Sequence, residues 1–178
     1  MMTKNYGKIF AFVISLVLLL VGCIGQTTVE TSDELQNIQE KDAISTVVNK
    51  LFLYTDEMNW DGLVNEVFTS QVDFDMTSVG GLSSKVTSQS IVEGWEAGFE
   101  GIESVHHQIG NVDIEVEGLT AKVFCYGTAT QYKTSDSGKN TRTFIGTYDF
   151  DLVKENSQWK IEGFKFNLKM MDGNVEFK

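Results

Sequence analysis

The stretch Ser104-Val-His-His-Gln-Ile-Gly-Asn-Val-Asp-Ile-Glu-Val-Glu117 decides the fold. Up to Gly101 apolar residues recur with a helical period of 3.6, and from here almost to the end of the chain they recur with a period of two, the signature of half-buried strands. Working outward, the period predicts four long strands, at about Ser104 to Glu117, Ala121 to Lys133, Arg142 to Glu155 and Gln158 to Met171. The turn signals between them are Glu117-Gly118, Asp136-Ser-Gly-Lys-Asn140 and Glu155-Asn156, and connections this short force antiparallel neighbours. Upstream, Ile44, Val47, Val48, Leu51 and Phe52 share one face of a helix running to about Asp56. Asp61 fits the N-cap of a second helix carrying Leu63, Val64, Val67 and Phe68. Ser90 with Glu93 makes a capping box for a third, on which Ile91, Trp95 and Phe99 repeat every four residues. Between the last two, Val72 to Met76 alternates like a short strand and Gly80 to Ser90 reads as turn. Three helices followed by an antiparallel meander make an α+β domain whose curved sheet packs on the helices and encloses a pocket.

The 178 residues carry 25 acidic against 14 basic side chains, a net charge of -11, with 42% hydrophobic residues. That length and composition allow one compact domain with a full core. Strong acidity without a Lys/Arg cluster excludes nucleic acid as a partner. The chain opens with Lys4 and Lys8 and then an apolar run from Ile9 to Gly22, too short for a stable span and shaped like an export signal. Its end, Leu20-Val21-Gly22-Cys23, looks like a bacterial lipobox. The expected organisation is therefore a lipoprotein signal peptide at 1–22, a lipidated Cys23 with a polar, flexible tether to residue 40, and a domain over 41–178. On that reading the mature protein is extracytoplasmic and anchored to the cell membrane through Cys23. An uncleaved anchor is the alternative. With Cys23 lipidated, Cys125 has no thiol to pair with, and its apolar surroundings predict a buried, inert side chain.

Three stretches carry a resemblance to a known family. Tyr54-Thr-Asp-Glu-Met-Asn-Trp-Asp-Gly-Leu63 resembles the helix-turn-helix opening of the SnoaL-like, nuclear-transport-factor-2-like superfamily. His107-Gln-Ile-Gly-Asn111, followed by Ile114, Val116, Gly118 and Ala121, is similar to its central strand, and Trp159-Lys-Ile-Glu with Gly173-Asn174 is similar to its last strand and exit. The resemblance implies a cone-shaped α+β barrel with a deep apolar pocket, often a dimer joined through its sheets. It implies no single activity, since the superfamily includes cyclases, dehydratases, isomerases and non-catalytic proteins.

Asp56 and His107 match the two positions that project into the cone in catalytic members. A carboxylate beside an imidazole in an apolar pocket suits proton transfer. Asp56 reads equally as part of a solvated acidic turn with Glu57 and Asp61. His106, one residue along a strand, points away from its neighbour, so the two do not chelate one metal. Tyr54, Trp60, His106, Tyr126 and Tyr148 complete the expected ligand-contacting set, with Tyr132 a further phenol on the wall. The pairs Asp73/Asp75 and Asp149/Asp151 are too few for calcium, and no phosphate loop, nucleophile elbow or zinc motif is present. No metal and no cofactor are expected. The expected function is a membrane-anchored pocket for a small, partly apolar molecule or a partner. The alternative is acid–base catalysis of the dehydratase, isomerase or cyclase type by Asp56 and His107.

Overall fold

The computed structural model of the protein describes residues 32–177, so the expected signal peptide and Cys23 lie outside the described residues. The chain divides at residue 40 into two compact units. Of the first, residues 32–40 are helical and largely exposed, with Leu35 and Ile38 facing solvent. Helical structure thus reaches into the stretch whose polar composition reads as tether. Among the described residues no helix is long and apolar enough to cross a membrane.

The second unit starts with helix α1 (residues 41–56), whose periodic face is buried as its spacing requires: Ile44, Val48 and Leu51 are 0–1% exposed. Helix α2 (Trp60–Gly62) is capped by Asn59, whose side chain accepts the Gly62 N–H at 3.0 Å, not by Asp61. It runs on as a π-helical turn, Leu63–Val67, which buries Leu63 and Val67 and delivers the chain into strand β1 (Phe68–Asp75). Strand β2 (Ser83–Thr87) follows and leads directly into helix α3 (Ser88–Gly98). The cap of α3 is Thr87 rather than Ser90: its Oγ1 accepts the Ser90 N–H at 3.1 Å, so the expected capping residue is instead the one capped.

Strands β3 (Ser104–Glu117), β4 (Thr120–Tyr132), β5 (Thr141–Glu155) and β6 (Gln158–Gly173) form the expected meander within one or two residues. Asn156 and Ser157, with φ of 50° and 66°, turn β5 into β6 through the two-residue geometry that matches strand twist. The sheet is larger than the meander, however, and it is mixed rather than antiparallel. Its order is β2-β1-β6-β5-β4-β3, with β1 parallel to β6 and β2 antiparallel on the outer edge. β2 escapes the period-two reading because its Ser-Ser-Lys-Val-Thr sequence buries nothing: all five residues are exposed or half-exposed. The six strands curl without closing into a barrel, and the helices fill the concave side. In β3 a bulge between Gly110 and Asp113, with Asn111 at a φ of 50°, lets Ile109 and then Ile114 and Val116 face the core despite the change of parity.

Candidate active site

α1 ends with Met58 in the left-handed region, φ 54°, and with the Asn59 N–H on the Tyr54 carbonyl at 2.8 Å. That ending places Asp56, on the last helical turn, against strand β3. Its carboxylate meets His107 at two points. Oδ2 accepts the His107 backbone N–H at 2.9 Å, and Oδ1 lies 2.6 Å from Nδ1 of the same residue. A carboxylate only accepts, so the ring hydrogen sits on Nδ1 and the neutral imidazole keeps its lone pair on Nε2. The side chains are 18% and 11% exposed respectively, and the Phe52 ring stands 5.2 Å from the imidazole.

His107 lines a cavity of about 270 Å³ whose other walls are mainly apolar: Leu51 and Phe52 from α1, Trp95 and Phe99 at the end of α3, Met76 and Val79 from the loop after β1, and Phe144, Phe164 and Phe166 from the sheet. Two of its polar members have unengaged hydrogen-bond donors. Tyr148 is 5% exposed, its hydroxyl makes no hydrogen bond to any described residue, and its ring is held by Phe166 at 4.8 Å, Phe52 at 5.0 Å and Phe150 at 5.8 Å. Burial, with the neighbouring Cys125 and the Asp56 charge, pushes the phenol above its ordinary range, so it stays a donor. Gln131, 7% exposed, has its Oε1 taken by Arg142 Nε at 2.6 Å. These side chains share a face by register: His107 pairs with Ala129, and Gln131, two residues on, pairs with Arg142. Glycine makes the packing possible. A Cβ at Gly127 would overlap the Tyr148 ring, and one at Gly146 would come within 2.7 Å of Phe166.

Of the expected ligand contacts, Tyr148 alone lines the cavity. Trp60 stands behind the wall with its ring 5.7 Å from Phe99. Tyr54 donates to Glu66 at 2.9 Å beside the Lys50–Glu66 ion pair at 2.7 Å, on the surface, where both donors hold the Glu66 carboxyl below its ordinary range. His106 is 76% exposed and stays 4.0 Å from Asp56, as alternation along the strand requires. Tyr126 lies on the outer face of the sheet, with Lys169 Nζ 4.1 Å over its ring and the exposed Phe124 beside it. Tyr132 is exposed at the end of β4. What placed Tyr54, His106 and Tyr126 in the expected set was residue type, whereas strand parity and helix face decide which side chains reach the cone. Sequence reading missed Gln131 and Arg142, although Arg142 is the single arginine of the chain and sits opposite Gln131 across a predicted hairpin.

The carboxylate pairs are engaged locally. Asp75 accepts the Thr77 N–H and hydroxyl at 3.0 and 2.6 Å, which holds its carboxyl below the ordinary range, and Asp149 accepts from Asn167 at 2.7 Å. No group of three or more potential metal ligands occurs among the described residues. Cys125 is buried and unpaired, and burial, together with the Asp149 charge, pushes its thiol up to about 12.

Comparison with known proteins places this architecture. The Kfla4162 protein from Kribbella flavida superposes with a TM-score of 0.73 at 17% identity, over 76% of this chain and 95% of that one. A scytalone dehydratase candidate from Novosphingobium aromaticivorans gives 0.67 at 18% identity, over 76% and 88%. The LinA-type3 hexachlorocyclohexane dehydrochlorinase from Novosphingobium barchaimii gives 0.66 at 10% identity, over 80% and 95%. At these identities the likeness is one of fold, the nuclear-transport-factor-2-like cone. No curated protein matches the sequence. The profile of the SnoaL-like domain matches residues 36–165, so the chain belongs to the SnoaL-like domain family.

Proposed function

We propose that the cone is an acid–base active site rather than a passive pocket, in which His107, oriented by Asp56, removes a proton from carbon in a small, largely apolar substrate. The observation that carries this reading is the two-point contact at 2.9 and 2.6 Å, which fixes a cavity-lining imidazole and, in the neutral tautomer it selects, puts the lone pair on Nε2. The carboxylate stabilises the imidazolium that forms, and the apolar wall keeps water away from it. In an elimination the C–H electron pair becomes the new C=C bond and the leaving group departs from the adjacent carbon with its bonding pair. The imidazolium then gives its proton to the leaving group or to solvent. Two of the similar structures are named for eliminations, one for loss of water and one for loss of hydrogen chloride. A passive pocket would not need a carboxylate bonded to both nitrogens that His107 presents to it.

Nitrogen NMR of the imidazole tests the arrangement, with His106→Gln leaving one histidine. The expected neutral form carries hydrogen on Nδ1, and loses that preference in Asp56→Asn. Acetophenone then reports the chemistry: its methyl hydrogens should exchange with solvent deuterium faster in the wild type than in His107→Gln. A neutral form protonated on Nε2, or equal exchange in the two proteins, sinks the catalytic reading. The leader supports anchoring by acylated Cys23, and mass spectrometry of membrane-derived protein checks it, an unmodified Cys23 ruling it out.

A further inference from the structure

We infer that Gln131 is the residue that selects and orients the substrate, by donating a hydrogen bond from Nε2 to an acceptor oxygen, and that Arg142 is the positioning residue that makes it a donor. A carboxamide can turn either end toward a cavity. Here the choice is made by Arg142, the cross-strand partner of Gln131 on the same face of the sheet: its Nε, which can only donate, holds Oε1 at 2.6 Å and leaves the NH₂ group free on a residue that lines the cavity. The guanidinium is itself fixed by a second bond, from NH1 to the Val175 carbonyl at 3.2 Å, and by the Phe177 ring 4.7 Å away. Nε2 has no side-chain or backbone partner among the described residues and is not fully buried, on a side chain that lines the cavity. A ligand that takes water's place beside this donor keeps the hydrogen bond only by presenting an acceptor.

The positive charge beside the amide polarises it toward an oxygen carrying partial negative charge, which points to a carbonyl rather than an ether or a hydrocarbon. The placement matches the chemistry. Gln131 lies on the strand next to His107 and on the same face, two residues from the Ala129 that pairs with His107, and both side chains line the cavity, so one substrate can meet the two together. Proton loss from a carbon next to a carbonyl moves the C–H electron pair toward that oxygen as an enolate, whose charge the Gln131 N–H would meet. The inference rests on the cavity being the substrate site, but binding selectivity needs no proton transfer, so the two proposals fail separately.

The test is binding of a matched pair, acetophenone and ethylbenzene, which differ by the carbonyl oxygen, followed through chemical-shift changes of the protein including the Gln131 NH₂ signals. In the wild type acetophenone should move the Gln131 NH₂ signals and ethylbenzene should not. Gln131→Leu keeps the volume and removes the donor, and should lower the acetophenone-to-ethylbenzene affinity ratio about tenfold, the equivalent of one hydrogen bond. Arg142→Met, which frees the amide to turn, should lower the ratio severalfold, and Arg142→Lys, which restores a donor to Oε1, should recover part of it. Ethylbenzene affinity serves as the control for folding and should stay within about twofold throughout, a behaviour that a merely structural role would not produce. In His107→Gln the ratio should persist while deuterium exchange is lost. Absence of acetophenone binding, or an unchanged ratio in Gln131→Leu, overturns the assignment of Gln131. An unchanged ratio in Arg142→Met overturns that of Arg142.

Discussion

Gly127→Ala tests how the cavity floor is built. Gly127 does not have a positive φ, so alanine is allowed by the backbone, and the loss of chain entropy in the unfolded state alone would stabilise by about 0.4–1 kcal/mol. The space argues the other way. The added Cβ overlaps Cε2 of Tyr148 and comes within 2.8 Å of its Cδ2. The ring has nowhere to retreat, with Phe166, Phe52 and Phe150 centroids at 4.8, 5.0 and 5.8 Å. Overpacking of this kind costs about 1–3 kcal/mol, so the net expectation is a loss of about 1–2 kcal/mol, or roughly 2–8 °C in Tm. A double-mutant cycle in urea isolates the cause. Tyr148→Ala alone should cost about 3–5 kcal/mol by leaving a void, and in that background Gly127→Ala should cost nothing or stabilise slightly, a coupling of about 1 kcal/mol or more. Additive losses would refute the reasoning, because they would mean that the alanine harms the strand without touching the ring.

Three further outcomes are expected. Thr87→Ala should lower stability by about 0.5–2 kcal/mol in urea unfolding, because it removes the acceptor of the Ser90 N–H at the start of α3. Asp56→Asn should slow any reaction the site performs by roughly 10²–10⁴-fold, read as turnover, since an amide cannot accept at both points while leaving the imidazole in the same tautomer. Stability should fall as pH rises from the ordinary thiol value of 9.0 toward about 12, because the unfolded chain ionises Cys125 in that window and the folded one does not; the raised Tyr148 phenol acts in the same sense. Unfolding free energies that stay flat through that window would contradict the burial of both groups.

Much of this architecture is legible in the residues because its long elements obey one period each. α1 and the four meander strands bury a single face, and the spacing of Ile44, Val48 and Leu51, or the run Val123, Cys125 in β4, records it. β2 records nothing, since its side chains are exposed or half-exposed on an edge held by backbone bonds to β1. The parallel pairing of β1 with β6 is equally silent, because Phe74 and Phe164 are ninety residues apart and neither names the other. At the site, the family resemblance named Asp56 and His107, and the structure brings the two within hydrogen-bond distance. Gln131 stayed hidden in the polar run Thr128-Ala-Thr-Gln131, where a buried amide looks like a solvated one until the register sets Arg142 across from it.

The position of β6 shapes the order in which this chain can fold. β6, residues 158–173 and the last strand among the described residues, lies between β1 and β5, so neither flank of the sheet has its partner until the chain has been made through residue 173. Contacts so distant in sequence make for slow folding, and a chain released before residue 158 would leave both β1 and β5 with open edges. The protein therefore should not settle its core piece by piece from the N-terminus. It closes late, when β6 enters between strands that until then have nothing to hold them together, and deletion of residues within 158–173 should be far more damaging than deletion of the same number before α1.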